Sequence, residues 1–195
     1  MAEKKLKFID NNSIDLTITS PPYDDLRDYE GYKFDFEAIA KELFRVTKEG
    51  GVVVWVVNDQ TINGSETGTS FRQALYFMEI GFNLHDTMIY EKTNFSNPSR
   101  NRYHQIFEYM FIFSKGKPKT FNPILDRKNK YGICWGKNTN RSKNGEIKEI
   151  KKRKPRKYGM KINIWRMNTS GQEKPCQSIE HPATFPEKLA KDHIS

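Results

Sequence analysis

Apolar residues recur along this chain with two different periods, which predict alternating strands and helices. In Ser13–Thr19 every second residue is apolar, and Val52–Val57 is an almost uninterrupted apolar run. A strand that is apolar on both faces is covered on both faces, as in a parallel sheet. Two further strands are predicted at Phe82–Tyr90 and Phe107–Phe113. The pattern therefore predicts a buried sheet.

Two helices are predicted between these strands. The first runs from Phe36 to Thr47, with Asp35 as its N-cap. Its core face is predicted to consist of Phe36, Ile39, Ala40 and Leu43, and Gly50-Gly51 is predicted to close it. The second runs from Phe71 to Ile80 and ends at Gly81. Its predicted core face consists of Phe71, Ala74, Leu75 and Met78.

Alternating strands and helices are typical of an open α/β sheet, in which ligands gather at the carboxyl ends of the strands. After Pro118 the chain becomes polar and loses its hydrophobic periodicity. We therefore predict a catalytic part over residues 1–118, an inserted recognition or linker region over 119–161, and a return to the first domain over 162–195. In that last part Ile162–Met167 is expected to rejoin the sheet, and a helix is expected to begin near the end.

The net charge of +9 is concentrated in one stretch of the 195 residues. Residues 127–161 contain fourteen lysines and arginines but only two acidic residues, whereas the remainder carries a slight negative excess. Such a stretch is typical of a polyphosphate partner, although a solvated surface loop is an alternative interpretation. The candidate DNA-binding residues are Lys151, Lys152, Arg153, Lys154, Arg156 and Lys157.

Composition narrows the class of protein further. The sequence has no apolar run long enough to cross a bilayer and no signal-peptide pattern in its first residues. Its two cysteines, Cys134 and Cys176, have no metal-ligand spacing and cannot form a disulfide framework. We expect a cytoplasmic protein without a metal site and without a membrane partner.

Ser20-Pro21-Pro22-Tyr23 directly follows the first predicted strand, at an end where ligands gather. Alone, this tetrapeptide is compatible with an ordinary proline turn, because proline removes the backbone donors that strand pairing needs. In context, residues 15–23 resemble the catalytic motif of DNA methyltransferases that act on exocyclic amines. Residues 43–52, 107–115 and 181–189 resemble later segments of that family, in the family's order.

The resemblance implies a partial Rossmann-like, S-adenosylmethionine-dependent methyltransferase sheet of the α/β class, carrying a basic recognition insert. It also implies roles for the motif. The Ser20 hydroxyl and the Pro21 carbonyl would accept hydrogen bonds from the target amine, and the fixed φ of Pro21 and Pro22 would pre-organise these acceptors. Tyr23 would stack on a base extruded from double-stranded DNA. No metal is needed for this chemistry.

The cofactor that the resemblance implies is S-adenosylmethionine. In the family a His-Pro-Ala segment lies against it, so the cofactor-binding candidates are His181, Pro182, Phe185 and Pro186. The family's glycine-rich cofactor loop does not follow in this sequence. The expectation is therefore a truncated or split enzyme, for which a second chain supplies the missing half. The first strand would then be an exposed, apolar sheet edge that promotes association.

Serine at position 20 favours N4 of cytosine as the target, with N6 of adenine as the second choice. A restriction endonuclease is a further possible partner. The alternative function is a catalytically incomplete remnant that binds nucleic acid without methyl transfer. A methyltransferase acting on RNA is a third interpretation of the same motifs.

Overall fold

A computed structural model of the chain describes residues 6–22, 34–95, 98, 100–129, 139–149, 156–168 and 186–194. It divides into two compact units, which are residues 1–121 with 163–195, and residues 122–162. The first unit contains a five-stranded sheet and three helices among its described residues. The second contains short two-stranded ribbons.

The sheet of the first unit is mixed. Its strands are β1 (Ile14–Thr19), β2 (Thr47–Val57), β5 (Asn83–Lys92), β6 (Phe107–Ser114) and β11 (Ile164–Met167), in the order β1-β2-β6-β5-β11. β1 pairs with β2, and β11 with β5, in parallel, whereas β6 lies antiparallel to both of its neighbours. The predicted α/β class is confirmed, as is the return of the chain to the sheet at β11.

The helices are α1 (Phe36–Val46), α2 (Thr69–Glu79) and α3 (Glu187–Ile194). A hairpin of two short strands, β3 (Thr61–Ile62) and β4 (Ser65–Glu66), connects β2 to α2. In the second unit β7 (Arg127–Lys128) pairs with β10 (Tyr158–Gly159), and β8 (Thr139–Arg141) pairs with β9 (Ile147–Glu149). No described helix is long and apolar enough to cross a membrane.

The core lies between α1, α2 and one face of the sheet. The buried side chains that form it are Ile39, Ala40, Leu43, Val53, Trp55, Val57, Ala74, Phe77, Phe82, Phe111 and Phe113. Val54 and Val56 face the opposite side of the sheet and are also buried, so β2 is covered on both faces as predicted. Asp35 caps α1 as predicted, because its carboxylate accepts a hydrogen bond from Ala38 N–H.

The predicted core face of α2 is wrong. Phe71, Leu75 and Met78 are exposed, with Leu75 at 65%, although Ala74 is buried as expected. The helix instead turns Phe77 and the polar residues Ser70 and Gln73 inward. These two polar residues can be buried because each has a hydrogen-bond partner in the fold: Ser70 has Asp59, and Gln73 has Trp55.

The predicted role of Gly50-Gly51 is also wrong. α1 ends at Val46, and both glycines lie inside β2, where the pairing with β1 is irregular. Gly50 has a φ of +81°, a conformation that favours glycine. A Cβ at Gly51 would lie 2.9 Å from the carbonyl oxygen of Lys48, so close backbone packing requires this glycine.

Candidate functional site

The carboxyl ends of the parallel strands meet at one edge of the sheet. β1 ends at Thr19, which is paired with Trp55, and β2 continues two residues further to Val57. The residues after β1 therefore leave the sheet beside the end of β2. β5 ends at the same edge, and the antiparallel β6 begins there, because Phe107 is paired with Glu91. We refer to this as the carboxyl edge.

The predicted catalytic motif begins at the carboxyl edge. Pro21 is buried, and Ser20 and Pro22 are half-buried. Ser20 and Pro22 are therefore accessible in part, whereas Pro21 between them is packed inside the protein. Tyr23 lies outside the described residues, so its predicted stacking role stays a prediction.

Two residues that follow β2 complete this edge, and neither of them was among the predicted site residues. The Asn58 side chain donates from Nδ2 to the carbonyl oxygen of Phe107 at 3.4 Å, and its Oδ1 accepts from Gln105 Nε2 at 3.0 Å. Asp59 is buried, and its two carboxylate oxygens accept from Ser70 N–H at 2.8 Å and from Ser70 Oγ at 2.6 Å. Polar residues directly after a buried apolar run were the signal that could have identified this pair.

Charged groups at the carboxyl edge are paired. Lys92 Nζ, at the end of β5, lies 2.6 Å from a carboxylate oxygen of Glu108 on β6, and both side chains are largely buried. Burial first, and then the negative charges of Glu66 and Asp59, raise the pKa of the Tyr109 hydroxyl above its ordinary value. The Tyr109 hydroxyl is therefore harder to ionise than that of an exposed tyrosine.

Of the predicted cofactor-binding residues, only Pro186 is described. It is fully buried and directly precedes α3. His181, Pro182 and Phe185 lie outside the described residues, so their predicted contacts with the cofactor stay predictions. Within the described ranges, no three His, Cys, Asp or Glu side chains are grouped so that they could hold a metal ion.

Two of the predicted DNA-binding residues, Arg156 and Lys157, are described, and both are exposed. They directly precede β10, and Asn129, which follows β7, donates to their backbone carbonyls at 2.6 and 3.1 Å. Arg127 and Lys128 on β7 are exposed as well, so cations lie on β7 and directly before β10. Lys151, Lys152, Arg153 and Lys154 lie outside the described residues.

Comparisons with known proteins agree with this fold. A family model described as DNA methylase matches residues 14–195. The orphan methyltransferase M.BamHII of Bacillus amyloliquefaciens is 62% identical over 187 residues, which cover 93% of this chain and 71% of that protein. The type II beta methyltransferase M.BslI of Bacillus sp. (strain NEB-606) is 28% identical over an alignment of 216 positions. This alignment covers 95% of this chain and 20% of that protein.

Among solved structures, the PvuII DNA methyltransferase, described as cytosine-N4-specific, superposes with a TM-score of 0.66 at 18% identity. The match covers 99% of this chain and 66% of that one. At this level of identity the likeness shows a shared fold. The mixed sheet of this chain therefore belongs to a fold that is also found in a known methyltransferase.

Proposed function

Since the chain belongs to the DNA methylase family whose members modify exocyclic amines, we propose that it transfers a methyl group to N4 of cytosine in double-stranded DNA. The observation that carries this proposal is the position of Ser20-Pro21-Pro22 directly after β1, at the carboxyl edge of the sheet. Ligands of open α/β sheets bind at this edge.

The reaction requires an amine to become a nucleophile. The lone pair of a base amine is delocalised into the ring, so the nitrogen must become pyramidal before it attacks. The Ser20 hydroxyl and the Pro21 carbonyl would accept the two amine hydrogens and direct the lone pair at the methyl carbon. Because Pro21 is buried and its φ is fixed, these acceptors are arranged before the base arrives. The nitrogen–carbon bond would form as the sulfonium–methyl bond of the donor breaks and leaves a neutral thioether, and the surplus amine proton would pass through the Ser20 hydroxyl to solvent.

S-adenosylmethionine is the donor that this family membership implies, and when bound it supplies an electrophilic methyl group. It would bind at the carboxyl edge, where ligands of open α/β sheets bind and where Ser20 follows β1. His181, Pro182, Phe185 and the buried Pro186 are the proposed contacts. Isothermal titration with S-adenosylmethionine tests them, and His181→Ala with Phe185→Ala should abolish the heat signal.

Serine at position 20 is the basis for proposing cytosine over adenine, which remains the second choice. The base would reach the motif by leaving the duplex, because the amine of a stacked and paired base is not accessible to the carboxyl edge. The proposed phosphate contacts are the exposed Arg156 and Lys157 together with residues 151–154.

We also propose that a second chain pairs with the outer side of β1. Among the described strands β1 has a neighbour on one side only, which is β2. Leu16 and Ile18 on this edge strand are half-buried and apolar. An apolar edge that no second described strand covers favours strand addition. A restriction endonuclease as a further partner stays a prediction.

The test is a methyl-transfer assay with labelled S-adenosylmethionine and unmethylated duplex DNA. Ser20→Ala should reduce the rate by about 100-fold or more, as expected for loss of a pre-organised polar group at a reaction centre. Ser13→Ala is the matched control, because Ser13 hydrogen-bonds the Asp10 carbonyl at the opposite end of β1. Full activity in both Ser20→Ala and Tyr23→Ala would refute the catalytic assignment. Salt-sensitive DNA binding without any transfer would instead support the catalytically incomplete remnant.

A further inference from the structure

The residues just before β6 form a second feature of the carboxyl edge, which we call the pre-β6 segment, residues 100–106. Its base is closed by a hydrogen bond from Lys92 N–H to the Ile106 carbonyl at 2.6 Å and by the Lys92–Glu108 ion pair. The sequence contains no acidic residue between Glu91 and Glu108. The segment is therefore a positively charged protrusion at the same edge as Ser20.

Side-chain hydrogen bonds fix the pre-β6 segment on either side of Tyr103. Arg102 donates from Nη2 to the Gly64 carbonyl at 2.8 Å and from Nη1 to Thr61 Oγ1 at 3.3 Å, which ties it to the β3–β4 hairpin. Gln105 donates to Asn58 Oδ1 at 3.0 Å. Tyr103 lies between these two tied residues, so the backbone that carries it is positioned before any ligand binds.

The Tyr103 side chain itself is 100% exposed, so no neighbouring group covers either face of its ring. The apolar area of this ring is left in water in the free chain. The next residue differs in this respect, because the His104 ring packs 4.1 Å, centroid to centroid, from that of Phe95. The Tyr103 ring therefore projects into solvent and does not line a pocket.

We propose that Tyr103 inserts into the DNA duplex beside the target base and stacks on the base left behind when the target is extruded. Arg100, exposed three residues earlier, contacts a backbone phosphate. The cations of the segment suit the phosphates on the outside of a duplex. The protruding ring suits the flat apolar faces of the stacked bases. This inference rests on the proposed function, because it takes the ligand at the carboxyl edge to be double-stranded DNA.

Three variants test the insertion. Tyr103→Ala removes the ring, Tyr103→Phe keeps it without the hydroxyl, and Phe8→Ala removes an equally accessible ring that precedes β1 at the opposite edge. Methyl transfer to unmethylated plasmid DNA is measured as kcat and KM for DNA, after circular dichroism has shown that each variant is folded. Tyr103→Ala should raise the KM for DNA about 10- to 100-fold, as expected for the loss of one base–aromatic stack. Tyr103→Phe should remain within about threefold of wild type, because it keeps the stacking face.

A photochemical measurement locates the contact independently of turnover. Duplex DNA containing 5-iododeoxyuridine is irradiated with the wild-type chain, and cross-linked peptides are sequenced by mass spectrometry. The expected cross-link is on Tyr103. The insertion is overturned if Tyr103→Ala matches Phe8→Ala and no cross-link forms at Tyr103, or if Tyr103→Phe loses as much as Tyr103→Ala. A wild-type chain that neither binds nor methylates DNA would overturn the proposed function itself, and the insertion with it.

Discussion

The buried carboxylate of Asp59 should be one of the largest single contributors to the stability of the first unit. Asp59 is 6% exposed and accepts hydrogen bonds from the N–H and the hydroxyl of Ser70. Helix α2 needs this contact, because its N-cap is Gly68, which has no side-chain acceptor. Asp59 thus caps α2 from a loop eleven residues away.

The expected magnitude follows from these contacts. A hydrogen bond to a charged group contributes about 1.5–3 kcal/mol, and an orphaned buried donor costs about 1–3 kcal/mol. Because Asp59→Ala leaves the N–H and the hydroxyl of buried Ser70 without this acceptor, we expect the free energy of unfolding to fall by about 3 kcal/mol. Asp59→Asn retains one acceptor oxygen and should lose about half as much, whereas Ser70→Ala should lose about 1 kcal/mol.

Urea unfolding followed by tryptophan fluorescence measures these changes, since Trp55 is buried in the core beside α2. A loss of about 3 kcal/mol should lower the urea midpoint by 1–2 M at an unchanged m-value. The double variant of Asp59→Ala and Ser70→Ala should be less destabilised than the sum of the two single variants. Additive effects, or a loss below about 0.5 kcal/mol for Asp59→Ala, would refute the remote-cap reasoning.

Three other measurements test separate parts of the account. Hydrogen bonds from Arg45 lower the pKa of Glu42 below its ordinary 4.5. The stability that these hydrogen bonds provide is therefore present above pH 4.5, and it is lost as the pH falls through the folded-state pKa. Glu42→Gln should cost about 0.5 kcal/mol at pH 7, and in urea unfolding the difference from wild type should shrink as the pH falls below 4.5. Combined Arg156→Ala and Lys157→Ala should weaken DNA binding and reduce the slope of log K against log salt by about 2; an unchanged slope argues against phosphate contacts there. Light scattering should show association through the β1 edge as concentration rises, and a monodisperse monomer at high concentration would contradict it.

Local signals in the sequence were sufficient to predict much of the fold. The apolar run of β2 and the Asp35 cap of α1 are properties of neighbouring residues, and both predictions were correct. The inward face of α2 was not predictable in this way. Ser70 is buried because it donates a hydrogen bond to Asp59, and Gln73 because it accepts one from Trp55. Hydrogen bonds between distant residues do not appear in the hydrophobic periodicity of the sequence.

The same distinction applies to the site. The place of Ser20 directly after a predicted strand was enough to predict that it lies at the carboxyl end of that strand, where ligands of open α/β sheets gather. The contact of Asn58 with Gln105 joins residues 47 positions apart, and the exposure of Tyr103 depends on how Arg102 meets the β3–β4 hairpin. These relations depend on the tertiary fold, so the sequence indicated at which edge of the sheet the motif lies but not how its surroundings are arranged.

The central claim is tested most directly by identifying the methylated base. The chain is incubated with S-adenosylmethionine and unmethylated duplex DNA, and the DNA is digested to nucleosides for mass spectrometry. The account predicts N4-methyldeoxycytidine from the wild-type chain and from Ser13→Ala, and none from Ser20→Ala. N6-methyldeoxyadenosine would contradict the choice of target base, and an unmethylated digest from a folded chain that binds the DNA would contradict the claim of methyl transfer.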